Sequence, residues 1–300
     1  MPDAGTLAGE RRSFGRPAGG DMASKRKMPG KKDPGDSPFT PGPPVERRSP
    51  CRARPKTMSK KRPKLESVRI VRARGGGPIR TVIQAVRKIP TGDFPSLKAG
   101  RPLPWEGIAE RHFVWVCEVD WNVRSFMTQP MRMEFHMSDG SVLIYFPDVE
   151  RLLASTAIEI VEIKKKEDEA RRDPDYSFKL WLARQICVIR GWKFRILSAE
   201  KYLAEGHRLA NAQLIRMDRF TAVSAEDYIR LGEAFRRTND MTWGKAVAAL
   251  SRTDDEWSPD GLARLRALIV RRHVRVDIDR RIAQQTPVAL TESAAIQVGK

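Results

Sequence analysis

Cysteine and histidine are scarce in this sequence. Cys51, Cys117 and Cys187 stand far apart without a Cys-x-x-Cys pair, and His112, His136, His207 and His273 show no zinc-ligand spacing. Those absences argue against a disulfide framework and a structural zinc, and they fit a reducing cytosol. Long apolar runs are missing too. None approaches the ~20 residues that a membrane span needs, and the N-terminus has no apolar segment of the kind found in signal peptides. A soluble, intracellular protein is expected. Acidic residues are in deficit: 37 Asp and Glu face 56 Lys and Arg, a formal net charge of +19. With a pI near 10.3, a polyanion is the first partner to consider. The deficit is uneven. Residues 1–80 hold 21 Lys/Arg against 7 Asp/Glu, whereas the remaining 220 hold 35 against 30. Charge therefore supports nucleic-acid contact by the N-terminal arm and says little about the rest.

Large apolar residues are few in that arm, and Pro and Gly replace them, twelve and eleven in residues 1–80. Such a segment cannot bury enough surface to offset its ordering entropy, so residues 1–80 are expected to be a disordered basic arm. Met22 and Met58 both precede basic stretches and are alternative starts. Residues 68–72 and 81–89 have some β or helical character, and 81–104 is expected to lead into a fold beginning near Trp105. From Ile108 to Val119, the residues Ile108, Phe113, Val114, Val116 and Cys117 mark a helical face. After Gln129-Pro130 the period becomes two: Met131, Met133, Phe135 and Met137 alternate with Arg132, Glu134 and His136. Ser138-Asp139-Gly140-Ser141 makes a tight turn and 142–146 runs back, a β-hairpin.

A third strand is expected over 158–164. Asp173 and Pro174 have the character of an N-cap and first helical residue, and Gly191 of the matching stop. Between them Phe178, Trp181, Leu182, Ile186 and Ile189 form an apolar stripe, with Phe178 and Trp181 expected in the core. Trp192, Phe194 and Ile196 alternate as a fourth strand. The order helix, hairpin, strand, helix, strand predicts a mixed α/β domain over 105–204. Residues 205–300 form a second, helical unit, with helices over 242–251 and 258–272 and a short strand over 274–278, an ending of winged-helix type.

Pro147-Asp148 is followed, fourteen residues after the aspartate, by Glu162-Ile163-Lys164. Alternation puts Glu162 and Lys164 on one strand face with Ile158 and Ile160, and Val161 and Ile163 on the other. Two charges at the end of an apolar strand face are costly unless they emerge at an open edge or bind something. Asp148 can reach the same edge, and Glu110 on the preceding helix offers a third carboxylate. Phosphodiester hydrolysis uses such a set: carboxylates hold divalent ions that activate water and neutralise phosphorane charge. Oxygen ligands favour Mg2+ or Mn2+, and a neighbouring lysine stabilises developing charge. The competing assignment is an ordinary surface salt bridge.

The stretch from Glu110 through Glu118, Asp120 and Val123 to Gln129-Pro130 resembles the TnsA family, the endonuclease subunit of heteromeric transposases. In that family a catalytic Glu precedes a Glu-x-Asp/Glu bend by eight residues and a Gln by nineteen, offsets that Glu110, Glu118 and Gln129 keep. Phe146-Pro147-Asp148, Val161-Glu162-Ile163-Lys164 and Arg190-Gly191-Trp192-Lys193-Phe194 match in order and spacing. The resemblance covers roughly 105–203, and the C-terminal unit more loosely. It implies a restriction-endonuclease-like fold, with Glu110, Asp148, Glu162 and Lys164 catalytic and Glu110, Asp148, Glu162 and Ile163 holding Mg2+ or Mn2+. Members of the family can carry Gln where this chain has Glu162.

Glu118 and Asp120 compete with Glu110 as the third carboxylate, the alternative for Glu118 being a bend or capping contact. Lys165, Lys166, Glu167, Asp168 and Glu169 suggest a solvated loop, and His112 and His136 surface or packing residues. Arg271, Arg272 and Arg275 either contact DNA backbone or close a helix C-terminus. The function expected is a metal-dependent endonuclease acting on double-stranded DNA at transposon ends. The partners implied are a transposase and an AAA-type ATPase regulator, with no membrane and no small-molecule substrate. The setting implied is the bacterial or phage-like cytoplasm at the nucleoid. The alternatives are a stand-alone phage or repair nuclease, and a non-catalytic DNA-binding or assembly protein that keeps the fold.

Overall fold

The computed structural model describes residues 62–79, 89–292 and 294. The chain enters as strand β1 (Leu65–Val71), then a hairpin of β2 (Thr91–Ser96) and β3 (Arg101–Glu106), and helix α1 (Ile108–Val119). Strands β4 (Val123–Thr128), β5 (Arg132–Met137), β6 (Val142–Tyr145), β7 (Val149–Leu153) and β8 (Ile158–Lys164) follow. Next come α2 (Glu169–Arg172), α3 (Pro174–Ile189), β9 (Lys193–Ser198), α4 (Ala199–Ala204) and α5 (Arg208–Ile215). A 3-10 turn (Arg216–Asp218), α6 (Ala225–Arg237), α7 (Trp243–Leu250), α8 (Pro259–Val270), β10 (Val274–Val276) and β11 (Val288–Leu290) complete the chain. The protein is mixed α/β, with eight helices among the described residues and no barrel. No helix among them is long and apolar enough to cross a membrane.

The central sheet runs β4-β7-β8-β9, with β4/β7 and β7/β8 antiparallel and β8/β9 parallel. Five of the seven β8 residues are buried, as befits a strand covered on both faces. Val161 and Ile163 belong to a core with α1, α4, α5 and the C-terminal helices, and Ile158 and Ile160 to a second core with α3 and β5. The predicted division of strand faces is therefore observed. The hairpin of β5 and β6 turns where expected: Gly140 has φ +80 and donates to the Met137 carbonyl at 2.9 Å. Asp173 caps α3 through the Asp175 and Tyr176 amides, Pro174 opens it, and Gly191 at φ +69 follows its end.

Several expectations change. Residues 65–71 are not arm: β1 pairs antiparallel with β5 from Leu65↔Met137 to Val71↔Arg132. Residues 1–61 lie outside the described residues, as do 80–88. The segment taken as a lead-in to Trp105 is instead a hairpin that straps α1. Lys98 Nζ donates to the carbonyls of Cys117 (3.0 Å) and Asp120 (2.6 Å), satisfying the C-terminal end of that helix. Burial lowers the Lys98 pKa to about 8. Trp181 is not core. It is 53 % exposed and stacks on half-buried Phe178, and Ile189 is exposed as well, while Leu180, Leu182, Ala183, Ile186 and Cys187 fill the interior. The chain beyond 204 shares the α1 core rather than building its own: Leu231, Val247, Leu265 and Val274 join Phe113 and Val116. It contains α6, which was not predicted, and the strand ends at Val276 rather than at 278.

Candidate active site

The β7–β8 register sets Val149 opposite Val161, so Asp148, one residue before β7, meets the C-terminal end of β8. There Asp148 Oδ2 accepts from the Ile163 amide at 2.6 Å. The Asp148 carbonyl accepts from the Gln129 amide at 2.7 Å, which ties the end of β4 to the same corner. Glu162 is 1 % exposed. Its Oε2 accepts from the Tyr145 hydroxyl at 2.6 Å, and its Oε1 accepts from the Tyr176 hydroxyl. Lys164 Nζ lies 2.6 Å from the same Oε1, donates to the Tyr176 oxygen at 2.9 Å, and sits 4.4 Å over that ring. Charge-assisted bonds of this kind are among the strongest a folded chain makes. Glu110, in the first turn of α1, accepts from the Glu106 amide at 2.8 Å.

The electrostatics join these residues. Burial, then the charges of Glu162 and Glu110, holds the Asp148 carboxyl well above the usual carboxylate range. Burial likewise pushes Glu110 up to about 7, with the Glu106 and Glu162 charges adding to it while the Glu106 amide and Lys164 oppose. The four residues predicted from sequence thus lie within one another's field, with three carboxylates facing one ammonium. Among the described residues, however, no three His, Cys, Asp or Glu side chains are gathered closely enough to hold a metal ion as they stand. The donor set suits a hard divalent cation in its chemistry, being all oxygen and surplus in negative charge. Its posture does not suit one until Glu162 turns from its tyrosines. Ile163 can offer only its main-chain carbonyl; its amide is engaged by Asp148.

The competing acids lie elsewhere. Glu118 is fully buried and holds the β2–β3 turn, accepting from Ser96 Oγ (2.6 Å) and the Leu97 amide (2.7 Å), which is the capping alternative. Asp120 accepts from the Asn122 amide at 2.9 Å. Residues 165–168 form an exposed loop before α2, in which Lys165 N–H donates to Glu169 at 2.9 Å. Arg271 and Arg272 close on the carbonyls of Thr221 (2.9 Å) and Trp121 (2.8 Å), and Arg275 lies 5.8 Å over the Trp121 ring. His112 packs on Trp115 at 4.9 Å.

Sequence reasoning missed Tyr145 and Tyr176. Tyr145 stands three residues before Asp148 in a predicted strand, a usable signal, but nothing periodic marks Tyr176 in the first turn of α3. Gln129 stood out only through its offset from Glu110. It has φ +46, costly for a non-glycine residue before proline, and its buried Oε1 has no hydrogen-bond partner. No family model and no curated protein matches the chain.

Proposed function

We propose that this chain is a metal-dependent DNA endonuclease of restriction-endonuclease-like fold. The observation that carries the proposal is the cluster of Asp148, Glu162 and Lys164 at one end of β8, with Glu110 near enough to raise Asp148. The order α1-β4-β7-β8-α3-β9 with its antiparallel, antiparallel and parallel neighbours supports the fold. Helices α6 to α8, the β10–β11 pair and the Thr242–Pro287 bridge support a winged-helix ending. Asp148, Glu162, Glu110 and the Ile163 carbonyl would hold Mg2+ or Mn2+. When bound, such an ion activates the phosphate and the attacking water. Lys164 supplies positive charge beside the phosphate oxygens, and Tyr145 orients Glu162. Double-stranded DNA is the substrate. The resemblance to TnsA extends the proposal to transposon ends, a partner transposase, an AAA-type ATPase and a nucleoid setting.

The test is cleavage of supercoiled plasmid by the full chain in Mn2+, compared with Asp148→Asn. Nicking or linearisation by the wild type is expected, with a loss of roughly a hundredfold or more in the variant, the scale of losing one charge-stabilising group. Equal rates would remove Asp148 from the chemistry. One observation favours a second reading, a non-catalytic DNA-binding protein on the same fold: both Glu162 oxygens are already occupied. A wild type that binds DNA yet fails to cut it with any divalent ion supplied would support that reading instead.

A further inference from the structure

The arginines offered by the sequence as DNA contacts are engaged within the fold: Arg271 and Arg272 bind carbonyls, and Arg275 lies over Trp121. Arg264 and Arg266 likewise bind Asp260 and Asp218. Two arginines packed on the Trp115 side of α1 are not engaged in this way. Arg111 follows Glu110 in the first turn of α1, and Arg216 stands on the 3-10 turn after α5. The Arg216 guanidinium lies 3.8 Å and that of Arg111 4.8 Å from the Trp115 ring centroid, and Arg111 is also 5.3 Å from Trp105. Both are half-buried, and both have a buried Nε without a hydrogen-bond partner. Among the described residues neither makes an ion pair. The one polar side-chain contact of Arg111 is the neighbouring His112, 3.4 Å away.

The charged neighbours Arg219, Asp218 and Glu118 are basic or already engaged. Arg219 donates to the Pro95 and Arg216 carbonyls and lies 4.5 Å over Phe220. Asp218, the adjacent acid, is bound to Arg266 at 2.8 Å. Glu118, whose charge reaches Arg219, is held by Ser96 and Leu97. The crowding is sufficient to push the Arg216 and His112 pKa values down, after burial itself, through Arg219 and Arg111 for the former and Arg111 and Arg216 for the latter. Partly desolvated cations held together by stacking, with donors unused, are costly until an anion arrives. Planar guanidinium groups fit phosphate oxygens in bidentate fashion.

We infer that Arg111 and Arg216, framed by Trp115, bind a phosphodiester of the DNA strand that passes Glu110. The inference rests on the endonuclease proposal for its substrate and concerns binding alone. Because Arg111 belongs to α1 and Arg216 to the chain after 204, the phosphate would clamp the two regions against one another.

The experiment measures binding of the full chain to a labelled duplex in EDTA, across a salt series. The Arg111→Gln/Arg216→Gln double variant should bind about tenfold more weakly and lose about 1–2 from the log–log salt slope, one phosphate contact contributing roughly 0.9. Arg111→Lys/Arg216→Lys, which keeps the charge, should retain the wild-type slope and show that the fold tolerates change there. Wild-type slope and affinity in the Gln variant would overturn the site, as would equal losses in a folded Lys variant. Inorganic phosphate should raise the melting temperature of the wild type more than that of the Gln variant. If it does so while the DNA slopes agree, the site takes free phosphate and the DNA assignment fails. Failure of the endonuclease proposal shows separately, as absent cleavage in Mn2+ with these slopes unaffected.

Discussion

On the α1 face of β8, Glu159 is buried against Arg151, which donates to it from Nε at 2.8 Å and from Nη2, with Arg195 3.6 Å away. Three residues along the same strand, on the opposite face, Glu162 is equally buried but shares its surroundings with Asp148, Glu110 and one lysine. In the first cluster the one carboxylate is fully matched by arginine. The second carries a surplus that it relieves by raised carboxyl pKa values and by tyrosine hydroxyls. Burial alone therefore does not separate the Glu159 ion pair from the candidate active site. The sign left over after pairing does.

The contrast is sharpest if one partner is removed from each cluster. Arg151→Met should destabilise the chain by about 3–5 kcal/mol, because buried Glu159 loses both of its hydrogen bonds and keeps only the half-exposed Arg195. Urea unfolding midpoints measure it, with a cost below ~1 kcal/mol showing that the two faces are alike. Tyr176→Phe removes the hydroxyl shared by Glu162 and Lys164 and should cost about 1–2 kcal/mol. It should also lower the Mn2+ concentration giving half-maximal cleavage several-fold, since Oε1 is then held by Lys164 alone. An unchanged or higher Mn2+ requirement would make the tyrosine part of the site rather than a restraint on it. The smallest effect concerns pH. The folded chain keeps a proton on Glu110 up to about 7, whereas the unfolded chain releases it near the ordinary value of 4.5. Metal-free stability is thus full below the lower value and declines as pH rises toward the upper one, by about 1 kcal/mol after solvent screening. Asp148 acts in the same direction. Glu110→Gln should flatten the decline, and a variant with the wild-type pH slope would detach Glu110 from the cluster.

What could be read in the sequence was whatever local chemistry specifies. Asp139-Gly140 fixes a turn, Asp173-Pro174 starts a helix, and the run from Ile158 to Lys164 is a strand with its charges at one end. Strand β4 escaped because the register shift between Val123 and Ser125 breaks its period of two. Strand β7 escaped because Arg151 makes it look exposed, whereas that residue is buried against Glu159 and Phe113. Pro95, Pro102 and Pro104 hide β2 and β3, a hairpin with no further strand neighbour, where proline is tolerated. In α3 the stripe had the right period, but its centre lies nearer Leu182 and Ile186 than Trp181. Asp148, Glu162 and Lys164 were legible because they share one strand end. The tyrosines that hold Glu162 were not, arriving from a hairpin and a helix 17 and 14 residues away.

The hairpin that straps α1 bears on the order in which the fold assembles. Its bonds to that helix span 19 to 22 residues, from Lys98 to Cys117 and Asp120 and from Ser96 to Glu118. The β1–β5 ladder instead joins Leu65 to Met137 and Val71 to Arg132, so a far longer loop must close before it forms. Loop-closure entropy grows with length, and contacts near in sequence form faster than distant ones. The strap and α1 can thus mature as a local nucleus while the chain is still being synthesised. The first of the described strands to leave the ribosome is then among the last to find its partner, and until it does, the outer edge of β5 stays open.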